Sequence, residues 1–211
     1  MIAYFMKYQD KLLTALLEHL EIVLICLLFS ILLACSLTIL CMYSKVLSKF
    51  IVNLFSIIYS IPSLAMFAMM IPLTGLGKTT AILVLTVYNQ YLLLNNFITG
   101  LNDVDQSIVD AATGMGMTEM QILFKIRLPL SIKALFAGIR LAVVSTIGIA
   151  TIAASINAGG LGAILFDGLR TMNVNKILWG SILSAGLAII ANALLSFSER
   201  KISIRKTERK N

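Results

Sequence analysis

The stretch IVLICLLFSILLACSLTILCMYS, from Ile22 to Ser44, contains no aspartate, glutamate, lysine or arginine. Four later stretches share this feature: 50–77, 79–102, 141–166 and 177–198. Each can hold the ~20 apolar residues that a helix needs to cross a bilayer, and backbone groups in hydrocarbon must find their hydrogen bonds within the segment. Charged residues make up 13% of the 211-residue chain, against about 25% in soluble domains. The sequence therefore predicts an all-α, polytopic membrane helix bundle with about five transmembrane helices.

Helix and turn patterns divide the chain into three parts. A transmembrane domain over 20–198 contains spans predicted at 20–43, 50–73, 79–98, 134–156 and 177–197. Before it, residues 1–19 carry leucines at helical spacing, which predicts an amphipathic helix on the outer surface. After it, residues 199–211 form a basic tail. Pro62 removes a helix hydrogen bond, so we expect a kinked second span that packs inside the bundle.

The distribution of basic residues predicts the orientation. With the N-terminus outside, the inner side carries eleven lysines and arginines and the outer side five, while Arg140 lies within a span. The inner residues are Lys45, Lys49, Lys125, Arg127, Lys133, Arg200, Lys201, Arg205, Lys206, Arg209 and Lys210. Because loops on the cytoplasmic side carry the excess of positive charge, we expect a multi-pass protein of the bacterial cytoplasmic membrane with a cytoplasmic C-terminus. The net charge of +7 then indicates attraction to anionic lipid and no nucleic-acid partner.

Residues suited to catalysis or metal binding are scarce. His19 is the only histidine, and it lies beside Glu18 and Glu21 at the predicted membrane edge, which is typical of an interfacial side chain. The three cysteines all fall in the first span without metal-ligand spacing. We therefore expect no catalytic residue, no metal site and no cofactor in this chain.

Polar residues interrupt the third span at Asn89, Gln90, Asn95 and Asn96. Amides are costly in lipid and should face other helices or a wet cavity. Two interpretations stay open: hydrogen bonds between helices, or the lining of a translocation path to which Pro62 would also belong.

A glycine-rich turn follows the fourth span. Gly159, Gly160 and Gly162 permit positive φ angles, which predicts a partly buried turn, or gate, on the outer side.

A polar segment over 107–129 separates the third span from the fourth. Ser107 is expected to cap a first helix, with Asp110 three residues later, and Gly114 and Gly116 are expected to end it. Thr118 with Gln121 predicts a second capping box, and the helix it starts should run to about 128. The segment therefore reads as a helix–turn–helix on the cytoplasmic side. Its apolar side would either meet a partner or pack on the chain's own bundle; it comprises Ala111, Ala112, Met115, Met117 and Met120.

The same segment carries a recognisable signature. Asp110-Ala111-Ala112 is followed at fixed spacing by Gly116 and by Ile126-Arg127-Leu128-Pro129. It resembles the cytoplasmic E-A-A signature of membrane subunits of ATP-binding cassette (ABC) importers, with Asp in place of Glu. The stretches at 59–77, 110–140 and 156–169 are similar to permease subunits of osmoprotectant importers, which are binding-protein-dependent transport system inner-membrane components that handle glycine betaine, carnitine and choline.

This resemblance implies the type I ABC importer permease fold, as in methionine importers, and a role for the segment. It would dock on a separate, dimeric ATP-binding subunit, so that ATP is bound by the partner and not by this chain. Gly116 would allow the sharp turn, the two alanines close approach, and Asp110 a helix cap or a contact with a base on the ATPase. The implied coupling residues are Asp110, Ala111, Ala112, Gly116, Ile126, Leu128 and Pro129.

The resemblance also implies further partners. A second copy of the permease, or a paralogous one, would complete the path, and a separate extracellular lipoprotein would bind the substrate. Two alternative functions stay open. The chain could belong to a similar importer for amino acids such as methionine or another small solute, or it could be a membrane scaffold or channel that needs no ATPase.

Overall fold

A computed structural model describes residues 1–208, with side chains for residue 1 and residues 3–202. The described part consists of helices joined by short turns and contains no strand. Ten α-helices follow one another: α1 (Ile2–Met42), α2 (Lys45–Ser60), α3 (Ser63–Thr74), α4 (Lys78–Asn102), α5 (Gln106–Gly114), α6 (Glu119–Ile122), α7 (Leu128–Leu130), α8 (Ile132–Ile152), α9 (Leu161–Arg170) and α10 (Val174–Glu208). A π-helical turn, Leu123–Arg127, joins α6 to α7, and a 3₁₀ turn, Ala153–Ile156, extends α8.

Four helical segments are long and apolar enough to cross a membrane. They are Ala3–Met42, Lys78–Asn102, Ile132–Ile156 and Val174–Ile202. The pair α2 and α3 adds a fifth candidate if it is counted as one span. The predicted all-α membrane bundle is confirmed.

The second predicted span differs from its expectation. Instead of one kinked helix over 50–73, α2 and α3 meet at an angle of 98°. Proline disfavours helical geometry in the residue before it, and both Ile61 (ψ 131°) and Pro62 (ψ 133°) are extended. The hydroxyl of Tyr88 donates to the Ile61 carbonyl, which satisfies an acceptor at the break. In the single chain α2 has no fully buried residue and α3 has only Phe67, while Phe55 and Ile58 of α2 are partly buried against the core. That the span packs inside the bundle of the assembled importer stays a prediction.

The core forms around α4, which packs against α1 on one side and α8 on the other. Leu93 of α4, Ile22 of α1 and Ile147 of α8 are among its fully or almost fully buried side chains. Small residues bring α4 and α8 close together. A Cβ at Gly138 would lie 2.8 Å from the Asn96 Cβ, so a larger residue there would force the two helices apart.

The first helix is longer than a membrane is thick. Its 41 residues correspond to about 62 Å at 1.5 Å per residue, roughly twice the ~30 Å hydrocarbon core. The amphipathic segment predicted over 1–19 and the span predicted over 20–43 are therefore one helix, with non-helical backbone only at Tyr8. In its N-terminal half, Leu12 and Ala15 are buried against Leu161 and Ile164 of α9.

Candidate functional site

The segment over 107–129, called the coupling segment below, begins one turn after α4 ends. Asp105 caps α5, and its carboxylate accepts a hydrogen bond of 2.9 Å from the Ser107 amide. This bond lowers the pKa of Asp105. The predicted Ser107 cap is wrong, since Ser107 already lies inside α5. Asp110 does not cap the helix either; it is exposed and accepts a 2.8 Å hydrogen bond from Gln106 Nε2.

The turn after α5 has the geometry that glycine favours. Gly116 has a φ of +80°, and its amide donates to the Thr113 carbonyl. The predicted capping box then starts α6. The Gln121 amide donates to Thr118 Oγ1, and the Thr118 amide donates to Gln121 Oε1. Both features confirm the helix–turn–helix.

The end of the coupling segment departs from the prediction. The helix does not stop at Leu128, because α7 carries the chain through Pro129 to Leu130. Proline has no N–H to donate, and directly before it the backbone adopts a π turn, in which the Leu128 amide bonds to the Leu123 carbonyl. Ile126 is partly buried, and Leu128 is 36% exposed.

The coupling segment has an inner and an outer face. Val109, Ala112 and Ile122 form a small buried cluster that holds α5 against α6, and Met117 packs on it. Ala112 and Met117 therefore stabilise the segment itself, and the expectation that they lie with Ala111, Met115 and Met120 on one apolar side is wrong. Ala111 and Gly116 are exposed. Four large apolar side chains of the same segment are also exposed: Ile108, Met115, Met120 and Phe124.

Two of the predicted path residues are buried in a polar network. Asn89 Nδ2 donates to Thr146 Oγ1 of α8 at 2.8 Å and to Ser30 Oγ of α1 at 3.2 Å. Gln90 Nε2 donates to the Ser30 carbonyl at 3.2 Å. These bonds join the three central helices, which favours the interhelical interpretation for both amides. Sequence reasoning missed Ser30 and Thr146, although hydroxyls within charge-free spans are a usable signal for such partners.

The other predicted path residues lie apart from that network. Asn96 is half-buried and donates to the Leu92 carbonyl of its own helix. Pro62 is exposed at the break between α2 and α3. Asn95 is exposed on the wall of a cavity of about 750 Å³ that lies between α1, α2 and α4. The structure therefore does not bring the five residues together in one chain.

The glycine turn after α8 is fastened to the first helix. Gly159 and Gly160 have φ angles of +85° and +74°, as predicted, and the Gly160 amide donates to Glu18 Oε2 at 2.9 Å. Gly162 differs, because it lies inside α9. A Cβ at Gly162 would stand 2.0 Å from the Thr151 carbonyl oxygen, so close packing and not positive φ requires this glycine.

His19 lies beneath the same turn. A Cβ at Gly160 would meet the His19 Cα at 3.2 Å, and the His19 side chain is fully buried. The expectation of an interfacial side chain is wrong, since the turn from 157 to 160 covers it.

The helical fold of this chain is similar to that of known transport proteins. Residues 23–207 match the family of binding-protein-dependent transport system inner membrane components. The chain belongs to this family. The predicted family is thereby confirmed.

Similar proteins agree with this membership. The chain is 39% identical over 167 residues to the carnitine transport permease protein OpuCD of Listeria monocytogenes, covering 79% of this chain and 75% of the relative. It is 35% identical over 186 residues to the glycine betaine/carnitine/choline transport system permease protein OpuCB of Bacillus subtilis, covering 88% and 86%. Among solved structures, an inward-facing MetNI methionine ABC transporter chain superposes with a TM-score of 0.79 over 92% of this chain and 95% of its own length, at 22% identity.

Family membership carries several conclusions. The chain is a multi-pass permease component of an ABC importer in the cytoplasmic membrane, and it is not an enzyme. It works with an ATPase and with a substrate-binding protein, as a binding-protein-dependent system requires.

Proposed function

We propose that this permease imports quaternary ammonium compatible solutes of the glycine betaine, carnitine and choline type. The support comes from relatives whose names state these substrates and which align over most of both chains. The likeness to a methionine transporter is a likeness of fold at 22% identity and does not bear on the substrate.

The observation that carries the proposed mechanism is the exposed apolar surface of the coupling segment. Met115 is 75% exposed, and Ile108, Met120 and Phe124 lie exposed on the same segment. Exposed apolar patches of this kind mark protein–protein contacts. We propose that a dimeric ATPase docks here, binds the ATP that this chain does not bind, and shifts the spans between two states when it closes.

A second permease subunit, either a copy or a paralogue, would complete the path. In the single chain α2 buries no residue, and only 6% of the apolar stretch of α10 is buried. Both helices therefore offer surface to a neighbour or to lipid. The exposed Pro62 at the α2–α3 break lies on this surface. An extracellular lipoprotein would deliver the substrate to the opposite end of the bundle.

The orientation that we propose places the N-terminus outside and the coupling segment in the cytoplasm. It rests on the excess of basic residues at that end. Met115→Cys tests it with a membrane-impermeant thiol reagent, with the parent chain as control for the three native cysteines. With the permease expressed without its ATPase, so that Met115 stays uncovered, labelling is expected in inside-out vesicles only; labelling of intact cells would overturn the orientation.

Uptake by the reconstituted importer tests the substrate. Proteoliposomes containing the permease, its ATPase and its binding protein are expected to accumulate labelled glycine betaine, carnitine or choline when ATP is enclosed. Excess unlabelled methionine should not compete. Uptake of methionine alone would replace the proposal by the amino-acid alternative, and uptake that needs no ATP would indicate a channel.

The docking surface has its own test. Met115→Asp places a charge on the exposed apolar face and should abolish co-purification of the ATPase. Met172→Asp is a matched control, because Met172 is 85% exposed in the connection between α9 and α10. Equal retention of the ATPase by both variants would show that docking occurs elsewhere.

A further inference from the structure

The cavity beside Asn95 carries an uncompensated positive charge. It opens at the end of the bundle that carries the coupling segment, and its lining includes Lys45, Lys49 and Arg127 but no aspartate or glutamate. We call this space, lined by those three residues with Thr38, Asn53 and Asn95, the basic cavity. At about 750 Å³ it is large enough for a phosphate-bearing headgroup.

The three basic side chains have no acidic partner in the part of the chain whose side chains are described. Among the described side chains, none of them forms an ion pair with a carboxylate. Arg127 donates to the Leu101 carbonyl and to Asn102 Oδ1, both at 3.4 Å. Three cations that line one cavity, with no acidic partner among the described side chains, favour an anion with several acceptor oxygens.

A buried hydroxyl in the same wall points to the same ligand. Thr38 is 5% exposed, and its Oγ1 has no hydrogen-bond partner among the residues that the structure describes. A buried polar atom without a partner is costly, and the large majority are satisfied in folded proteins. An anion bound among the three cations would supply an acceptor to this hydroxyl.

The neighbouring surface of α2 suits acyl chains. Lys45 and Lys49 lie one turn apart at the start of α2, and each is followed by an exposed apolar residue, Val46 and Phe50. Leu54 continues this exposed apolar surface toward the middle of the helix. Successive helix positions are ~100° apart, so the apolar surface runs beside the basic one. A lipid could place its headgroup in the cavity and its tails along α2.

We propose that the basic cavity binds the phosphate of an anionic phospholipid from the adjacent leaflet. Lys45, Lys49 and Arg127 neutralise the phosphodiester, and Thr38 donates a hydrogen bond to it. The three cations disfavour the alternative in which a quaternary ammonium solute occupies the cavity, because they would repel its trimethylammonium group.

Native mass spectrometry of the purified full chain tests the site. The chain is titrated with dioleoylphosphatidylglycerol, with dioleoylphosphatidylcholine and with inorganic phosphate. One phosphatidylglycerol is expected to remain bound where phosphatidylcholine is lost. Lys45→Gln with Lys49→Gln should weaken its binding roughly 30-fold, because each basic residue near the membrane surface contributes ~1 kcal/mol to lipid binding. Lys125→Gln with Lys133→Gln removes the same charge outside the cavity and should leave binding within about twofold.

The other measurements distinguish a specific lipid site from nonspecific attraction, from a site for free phosphate and from the translocation path. Thr38→Val keeps the side-chain shape and should weaken phosphatidylglycerol binding about tenfold if the hydroxyl donates to the phosphate. If Thr38→Val binds phosphatidylglycerol as the parent does, or if both double variants lose the same affinity, the lipid is attracted by the overall positive charge and the proposed site is wrong. Binding of inorganic phosphate as tight as that of the lipid would assign the cavity to a free anion. Displacement of the lipid by glycine betaine would assign it to the translocation path, and either result overturns the proposal.

Discussion

The Gly160 amide donates a 2.9 Å hydrogen bond to Glu18 Oε2, across 142 positions of the sequence. This bond fastens the glycine turn that follows α8 to α1. Glu18→Ala should therefore destabilise the chain by about 1.5–3 kcal/mol, the range for hydrogen bonds to charged groups, and Glu18→Gln by less because an acceptor remains. Thermal unfolding of the detergent-solubilised chain measures both.

Glu21→Ala is the matched control for this bond. Glu21 lies on the same helix and pairs with Lys78 at 2.6 Å, but both side chains are more than 40% exposed. Exposed pairs contribute at most ~1 kcal/mol. If Glu18→Ala and Glu21→Ala lower the melting temperature equally, the turn is not held by Glu18.

The Gly116 turn gives a second prediction. Its φ of +80° costs a residue with a side chain about 1–2 kcal/mol, although nothing lies within 4 Å of the Cβ position. Gly116→Trp should leave membrane insertion intact and abolish ATP-driven uptake, because both the turn and the docking surface change. Gly114→Ala is the control, since Gly114 is helical and equally open. Uptake that survives Gly116→Trp would exclude this segment as the coupling element.

The two kinds of amide in α4 are expected to differ on substitution. Asn89→Ala removes the bonds to Thr146 and Ser30 and leaves buried hydroxyls, so it should lower stability by roughly 1–2 kcal/mol. Asn95→Ala removes an exposed side chain and should leave the melting temperature within about 1 °C. A larger loss for Asn95→Ala would mean that Asn95 has a structural partner in the assembled importer.

Much of this architecture could be predicted from local patterns. Charge-free stretches marked the candidate spans, and the Thr118–Gln121 box with Gly116 marked the coupling segment. These signals are short-range, since burial in hydrocarbon and helix capping depend on neighbouring residues. The cap at Asp105 was missed because Asp105 and Ser107 both offer a suitable oxygen, and only the backbone at the helix start distinguishes them.

The rest depended on contacts distant in sequence. The sequence does not distinguish Asn89 from Asn95, because both are asparagines within one span. Asn89 is buried because it lies on the side of α4 that packs on α8, and Asn95 is exposed. His19 is buried by a turn some 140 residues later. From sequence, the 98° bend at Pro62 could not be distinguished from a mild kink. The bend angle depends on how α3 packs on α4 and not on the proline alone.

The Asp167 carboxylate should make stability depend on pH. Lys176 Nζ donates to Asp167 Oδ2 at 2.8 Å, which lowers the pKa of Asp167, with Arg170 and Lys11 also nearby. A carboxylate whose folded pKa lies below its unfolded value of about 3.9 stabilises the fold above that value. This contribution is lost as the pH falls through the folded pKa. The melting temperature of the parent should thus exceed that of Asp167→Asn at pH 7, and the difference should vanish in acid.

The fluorescence of Trp179, the single tryptophan, measures the unfolding of this end of the bundle, where Trp179 packs on Phe5. Salt should also shrink the difference between the parent and Asp167→Asn, because exposed charges are screened. A difference that persists unchanged at low pH would show that the asparagine variant acts through packing and not through charge.

The ion pair between Arg140 of α8 and Glu199 of α10 gives the last prediction. Arg140 lies within the fourth predicted span, and its guanidinium lies 2.9 Å from Glu199 Oε2 and donates to Ser196 Oγ at 3.1 Å. The two side chains are 30% and 16% exposed, between the surface and buried cases. Arg140→Gln and Glu199→Gln should each cost about 2 kcal/mol, because each leaves a half-buried charge unpaired. The double variant should cost less than the sum of the two, since it leaves neither charge behind. Strict additivity in a double-mutant cycle of thermal unfolding would show that the pair does not hold α10 to α8.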